Sequence, residues 1–139
     1  MTEEKNDLVN CCKGLHVLVV EDIKPNRDLI KAYFDILGCT ADYAYNGLEA
    51  VNKVKANKYD LCLMDFQMPV MGGLEATRII RQELGSQMWI IALTGSATRE
   101  QLKEGLCIGM NSCCVKPIRL EELARAILLF KDKDPSQKF

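Results

Sequence analysis

The chain has 139 residues, 48% of them hydrophobic, which suits one domain of ordinary size that buries a core without staples. Eighteen basic against nineteen acidic residues give a formal net charge of -1 with the basic residues scattered, so the footprint of a nucleic-acid binder is missing. Charges at Glu3, Glu4, Lys5, Asp7 and Lys13 exclude a secretory signal, and no apolar run approaches spanning length; a soluble, cytoplasmic domain without membrane contact is expected.

HVLVV (residues 16–20), Val-rich and almost continuously apolar, has the pattern of a central strand covered on both faces. Pro25 then opens a helix, because its fixed backbone angle and missing N–H are tolerated in the first turn. Leu29, Ile30, Tyr33, Phe34 and Leu37 line one stripe of that helix, and Gly38 stops it. TADYAY (40–45) alternates more weakly, as a strand nearer an edge does, and Asn46-Gly47 turns the chain into a second amphipathic helix, LEAVNKVKANK. LCLMD (61–65) is another buried strand. After the loop FQMPVMGG, Leu74 to Leu84 form a third helix with Leu74, Thr77, Ile80 and Leu84 along one side. WIIALT (89–94) is the fourth strand. Thr98 caps a helix through Leu102 and Leu106 that ends near Gly109, and SCCV (112–115) is a short fifth strand closed by Pro117. Leu120 to Phe130 make the last helix.

Five strands alternating with five helices predict a doubly wound, three-layer α/β domain, because parallel neighbours need crossover helices on the sheet faces. That domain is expected over residues 15–130. The segment 1–14 and the tail 131–139 carry little apolar content and read as a frayed extension or linker and a tail.

Seven cysteines are present, an odd number, with neither a CxxC pair nor a Cys/His ligand spacing. Cys62, Cys113 and Cys114 fall in strand-like runs and Cys39 and Cys107 border apolar segments, so they read as small buried hydrophobes. The adjacent Cys11-Cys12 pair sits in a polar leader and reads as exposed and oxidisable, without a required disulfide.

Four of the apolar runs end in groups that phosphoryl chemistry uses: Glu21-Asp22, Asp65, Thr94 and Lys116. In an open parallel sheet the carboxyl ends of the strands form one rim, and ligands bind in the crevice outside it. Three close carboxylates repel one another unless a cation neutralises them, and an all-oxygen set favours Mg²⁺. A transferred phosphoryl carries charge on its oxygens, which an ammonium and a hydroxyl stabilise, and one carboxylate can serve as nucleophile to give an acyl phosphate. Singly, each residue has an ordinary explanation as a solvated turn, a helix cap or a surface lysine; four strand ends carrying matching groups make coincidence the poorer account.

HVLVVED, LCLMDFQMPVMGG, WIIALTG and CCVKP together resemble the successive motifs of the response-regulator receiver domain, from about Leu15 to Phe130. That resemblance implies a flavodoxin-like sheet of order 2-1-3-4-5. It also implies that Asp65 is the phosphoacceptor taking a phosphoryl group from a phosphohistidine. Glu21 and Asp22 would be the acidic pair at Mg²⁺, with Asp22 and Asp65 as direct ligands and the main-chain carbonyl of Gln67 beside them. Thr94 and Lys116 would engage the phosphoryl oxygens, Lys116 through a peptide bond to Pro117 that is often cis in the family. Such a domain is no conventional enzyme: it catalyses its own phosphorylation and dephosphorylation.

The VED-x-x-P-N-R segment and FQMPVMGGLEATRIIR look most like receivers of hybrid histidine kinases, implying a phosphorelay with a histidine kinase or histidine phosphotransfer partner. The acyl phosphate would draw Thr94 and Lys116 inward and move the loop from Gly95 to Thr98. Docking would use the face near the first and last helices, or the fourth helix. With no output segment after Phe130, the chain reads as a free-standing relay protein or a receiver excised from a larger one.

Three positions depart from the family pattern. Gly72 replaces a common Asp, Ile23 follows the acidic pair where a polar residue is usual, and Cys113 stands where many receivers carry a switching aromatic. Two rivals remain. A haloacid-dehalogenase-like phosphohydrolase would carry a second Asp two residues after its nucleophile, where this chain has Gln67. A pseudo-receiver that only docks a partner would lack an acid or the lysine, and all are here. A nucleotide or flavin binder would want a Gly-rich loop after the first strand, and EDIKPNR is the opposite.

Overall fold

Strands β1 (His16–Val20), β2 (Thr40–Ala44), β3 (Leu61–Asp65), β4 (Trp89–Thr94) and β5 (Ser112–Val115) pair in parallel in the order β2-β1-β3-β4-β5. The computed structural model describes residues 7–95 and 98–132. Between the strands run α1 (Lys24–Leu37), α2 (Gly47–Ala56), α3 (Gly73–Arg78) and α4 (Arg99–Ile108), and α5 (Leu120–Asp132) follows β5. This is the predicted doubly wound α/β fold, with strand order reversing between β1 and β3.

Alternation along the strands sends successive side chains to opposite faces. Val17, Val19, Leu61, Leu63, Ile91 and Leu93 pack with Ile30, Phe34 and Leu37 of α1 and with Leu123, Ala124 and Ile127 of α5. On the other face Leu18, Val20, Cys62, Met64, Ile90 and Ala92 pack with Ala50 and Val51 of α2 and with Ala76 and Ile80 of α3. The three central strands β1, β3 and β4 are apolar on both sides because both sides are covered.

The helix ends follow their local chemistry. Pro25 lies in the first turn of α1, and Gly38 ends it in the left-handed region (φ 90°), its N–H bonded to the Phe34 carbonyl. Asn46 caps α2 by accepting the Glu49 N–H at 2.9 Å, and the Glu49 carboxylate reaches back to the Tyr45 N–H at 3.1 Å. Thr98 caps α4 by accepting from Gln101 N–H at 3.1 Å, and Gly109 (φ 107°) closes it.

Four sequence expectations need correction. The third helix is not uniform: α3 passes at Ile79–Glu83 into a single π turn, where the Leu84 N–H reaches the Ile79 carbonyl at 3.0 Å. Residues 7–14 are not frayed, since the N–H groups of Asn10 and Cys12 donate to the carbonyls of Ile36 and Leu37 at 2.8 and 2.9 Å. Cys12 is therefore fully buried in the α1/α5 core instead of exposed, whereas Cys107, read as a buried hydrophobe, is exposed. Ser96 and Ala97, in the loop expected to move, lie outside the described residues.

Candidate phosphoryl-transfer site

Asp65 is the last residue of β3, 4% exposed, and Lys116 follows directly on β5. Sheet order puts one strand between them, and the long lysine side chain bridges the gap. Its Nζ lies 2.7 Å from Asp65 Oδ2 and 3.2 Å from both carboxylate oxygens of Glu21. Glu21 is completely buried, held by the Asn26 side-chain amide, and its main-chain carbonyl accepts from the Arg27 guanidinium at 3.1 Å. Pro25 lies in the first turn of α1, and the next two residues, Asn26 and Arg27, reach back to Glu21. The Lys116–Pro117 peptide is cis, as the resemblance implied.

The electrostatics follow from crowding. Burial pushes the Glu21 carboxyl up to about 7, and its contact with Asp65 pushes the same way, against the amide of Asn26 and the Lys116 ammonium. Burial alone would lower Lys116, but the hydrogen bond and charge of Asp65, with Glu21, outweigh it and hold the ammonium above its usual range. Lys116 therefore stays charged at neutral pH.

Glu21, Asp22 and Asp65 each offer a carboxylate oxygen, all within 4.8 Å of one another. Asp22 Oδ1 is buried without a hydrogen-bond partner. An orphaned buried carboxylate oxygen in an all-oxygen cluster without His or Cys fits a hard divalent cation and suits Mg²⁺. A cavity of about 370 Å³ opens over these groups, lined by Asp22, Asp65, Gln67, Thr94, Gln101 and Lys116 among others. Thr94 is 3% exposed at the end of β4. The Gln67 N–H donates to Asp65 Oδ1 at 3.2 Å. All six residues singled out in the sequence thus meet at one rim.

The loop after Asp65 turns sharply. Met71 N–H bonds the Pro69 carbonyl at 2.7 Å, with Val70 at the centre in the left-handed region (φ 70°). Gly72 starts α3 without a side-chain cap. Ile23 is 48% exposed at the cavity edge, so this lip is apolar, and Cys113 is half-buried on β5 beside the α2/α3 core in place of an aromatic. Sequence reasoning missed Asn26, which clamps Glu21, and Gln101, whose buried Oε1 has no partner in the cavity wall. The spacing of Asn26 five residues after Glu21, across a helix-opening proline, was a usable signal; Gln101 offered none.

A buried carboxylate beside an ammonium, an acidic cluster and an open cavity, all on the carboxyl rim of a doubly wound sheet, define a phosphoacceptor domain of the flavodoxin-like class. The family model of the response regulator receiver domain matches residues 17–128, and the chain belongs to that family. It is 40% identical over 119 residues, 86% of this chain, to the autoinducer 2 sensor kinase/phosphatase LuxQ of Vibrio vulnificus, and spans only 14% of that protein's length. Among solved structures it resembles the receiver domain of a sensor histidine kinase from Pseudomonas aeruginosa, which holds a magnesium ion in its active-site cleft. That match has 39% identity and a TM-score of 0.75 and covers 84% of this chain and 95% of the other. It also resembles a structure described as the histidine phosphotransfer protein of Saccharomyces cerevisiae with the receiver of its downstream response regulator. There identity is 30% and the TM-score 0.77, with 84% of this chain and 88% of the other covered. No helix among the described residues is long and apolar enough to cross a membrane.

Proposed function

We propose that this receiver, a unit over residues 15–130 in the cytoplasm, takes a phosphoryl group from a phosphohistidine onto Asp65 and passes it to a histidine phosphotransfer partner. Its donor would be a histidine kinase, and the likeness to LuxQ supports a place within a hybrid kinase. The observation that carries this reading is the 2.7 Å contact between Lys116 Nζ and Asp65 Oδ2 beneath an open cavity.

In the transfer, an Asp65 carboxylate oxygen attacks phosphorus in line with the departing imidazole. An O–P bond forms as the N–P bond breaks, and its electron pair returns to the histidine ring. Lys116 neutralises charge on the phosphoryl oxygens, and the Thr94 hydroxyl donates to another. Glu21, Asp22, Asp65 and the Gln67 main-chain carbonyl would hold Mg²⁺, which supplies positive charge to the acidic cluster and the incoming phosphoryl group. Asn26 keeps Glu21 facing the amine, and the apolar lip at Ile23 limits water at the acyl phosphate. Reversal onto a second histidine passes the group on.

Incubation with Mg²⁺ and acetyl phosphate, read by intact mass, should add one phosphoryl group to the wild type and none to Asp65→Asn. No adduct with several donors, in a folded protein that binds Mg²⁺, would refute transfer and leave a docking module.

A further inference from the structure

The segment ahead of β1 folds back on the end of α1, and three cysteines meet there. Backbone bonds from Asn10 to Ile36, from Cys12 to Leu37 and from Thr40 to Leu15, at 2.8, 2.9 and 3.0 Å, bracket Cys12 and Cys39 and fix them opposite each other. Cys39 Sγ lies 3.7 Å from the Cys12 carbonyl oxygen, and Cys39 packs against the core cluster that holds Cys12. Cys11 Sγ is 3.5 Å from Cys12 Sγ, and Lys131 Nζ bonds the Cys11 carbonyl at 3.1 Å. The site lies at the amino-terminal edge of the sheet, ahead of β1 and β2, whereas Asp65 ends β3 at the opposite rim. Nothing in phosphoryl transfer uses these groups.

We propose that Cys12 and Cys39 are an oxidative modification site, a dithiol that peroxide-class oxidants convert to a disulfide tying the segment before β1 to the α1–β2 connection. The sulfurs divide the roles by access and charge. Cys12 is fully buried, whereas Cys39 is half-buried and reachable. Interaction between the two side chains lowers the pKa of Cys39 and raises that of Cys12, and the Lys131 ammonium favours thiolate at both. The Cys39 thiolate attacks the peroxide O–O bond, giving a sulfenic acid and releasing hydroxide. The Cys12 sulfur, deprotonated as it attacks, then displaces that hydroxyl from the Cys39 sulfur; the S–S bond forms and water leaves. Two electrons pass from the thiols to the peroxide, and a dithiol reductant reverses the change.

The test treats the full chain with a few equivalents of hydrogen peroxide, caps the remaining thiols with N-ethylmaleimide, and maps tryptic peptides without reduction. Residues 6–13 should be linked to residues 32–53 in the wild type and in Cys11→Ser, and not in Cys12→Ala or Cys39→Ser. Oxidised wild type should melt roughly 10 °C higher than reduced, since the crosslink closes a sizeable loop in the unfolded chain. Cys39→Ser, altered at a half-buried position, should show no such rise, and phosphorylation should be unchanged throughout. A Cys11–Cys12 disulfide, a dimer linked through exposed Cys107, or Cys39 oxidised to sulfinic acid without a crosslink would each overturn the proposal.

Discussion

Gly73 begins α3 hard against the end of β3, and alanine there tests how the site is positioned. A Cβ added at Gly73 would sit 2.0 Å from the Asp65 carbonyl oxygen, 2.9 Å from its carbonyl carbon and 3.0 Å from Met64 Cγ, against the 3.4 Å or more of an ordinary contact. The obstacle is backbone, which cannot rotate away. The Gly73 N–H is also bonded to the Phe66 carbonyl at 3.0 Å, so α3 cannot withdraw freely. Alanine gains about 1 kcal/mol of helix preference over glycine, yet a shortfall of this size against backbone should leave a net destabilisation of about 3 kcal/mol. With a urea slope of about 1.5 kcal/mol/M for a domain of this size, the unfolding midpoint should drop by about 2 M. The displaced Asp65 carboxylate loses its register with Lys116, so phosphoryl incorporation from acetyl phosphate should slow by at least about tenfold. Gly72→Ala, whose new carbon meets only the Phe66 carbonyl oxygen at 3.0 Å, serves as control and should cost less than half as much. A Gly73→Ala protein with the wild-type midpoint and phosphorylation rate would refute the argument.

Glu21 predicts a pH dependence whose sign is set by its raised pKa. Its carboxyl, near 4.5 when unfolded, is held up to about 7 in the folded protein. The folded state therefore holds the proton more tightly, and this contribution, full below about pH 4.5, is lost as pH rises through 7. In chelator, the melting temperature should fall between pH 5 and 7.5, and saturating Mg²⁺ should flatten that slope; a slope identical with and without the ion would contradict the proposed ligand set. Arg81 makes a second, purely structural prediction. Its guanidinium bonds the Gly109 carbonyl at 2.7 and 3.0 Å, the Ser86 carbonyl at 2.9 Å and Asn111 Oδ1 at 2.9 Å, at the end of the sheet away from Asp65. Arg81→Met keeps most of the apolar stem but strands these acceptors, and should cost about 2–4 kcal/mol in urea unfolding while leaving phosphorylation intact. A cost under about 1 kcal/mol would mean water replaces the arginine.

The strands were legible because burial on both faces leaves short, continuous apolar runs, and the site was legible because each run ends in a charged or hydroxyl residue at the same rim. Thr98 and Gly109 marked the ends of α4 correctly, since caps are local chemistry. The π turn at Ile79–Glu83 left no trace, because one extra residue in a turn barely alters an apolar stripe in which Ile80 still points inward. The docking of residues 7–14 was equally hidden. It rests on backbone bonds to Ile36 and Leu37, on buried Cys12 and on partly buried Leu8 and Cys11, too short a run for a periodicity to report it. Gln101 reaches the cavity only through the approach of α4 to β4, a tertiary fact without a sequence signature.

The sheet divides the interior into two compartments that share no side chain among the described residues, one under α1 and α5, the other under α2 and α3. Asp65 stands at the edge of the wall between them, with Leu63 anchored in the first and Met64 in the second. Volume altered in one compartment reaches Asp65 through a different residue from volume altered in the other. The two helical faces are thus mechanically separate inputs to one carboxylate, and either face can be reshaped for a new partner without repacking the other.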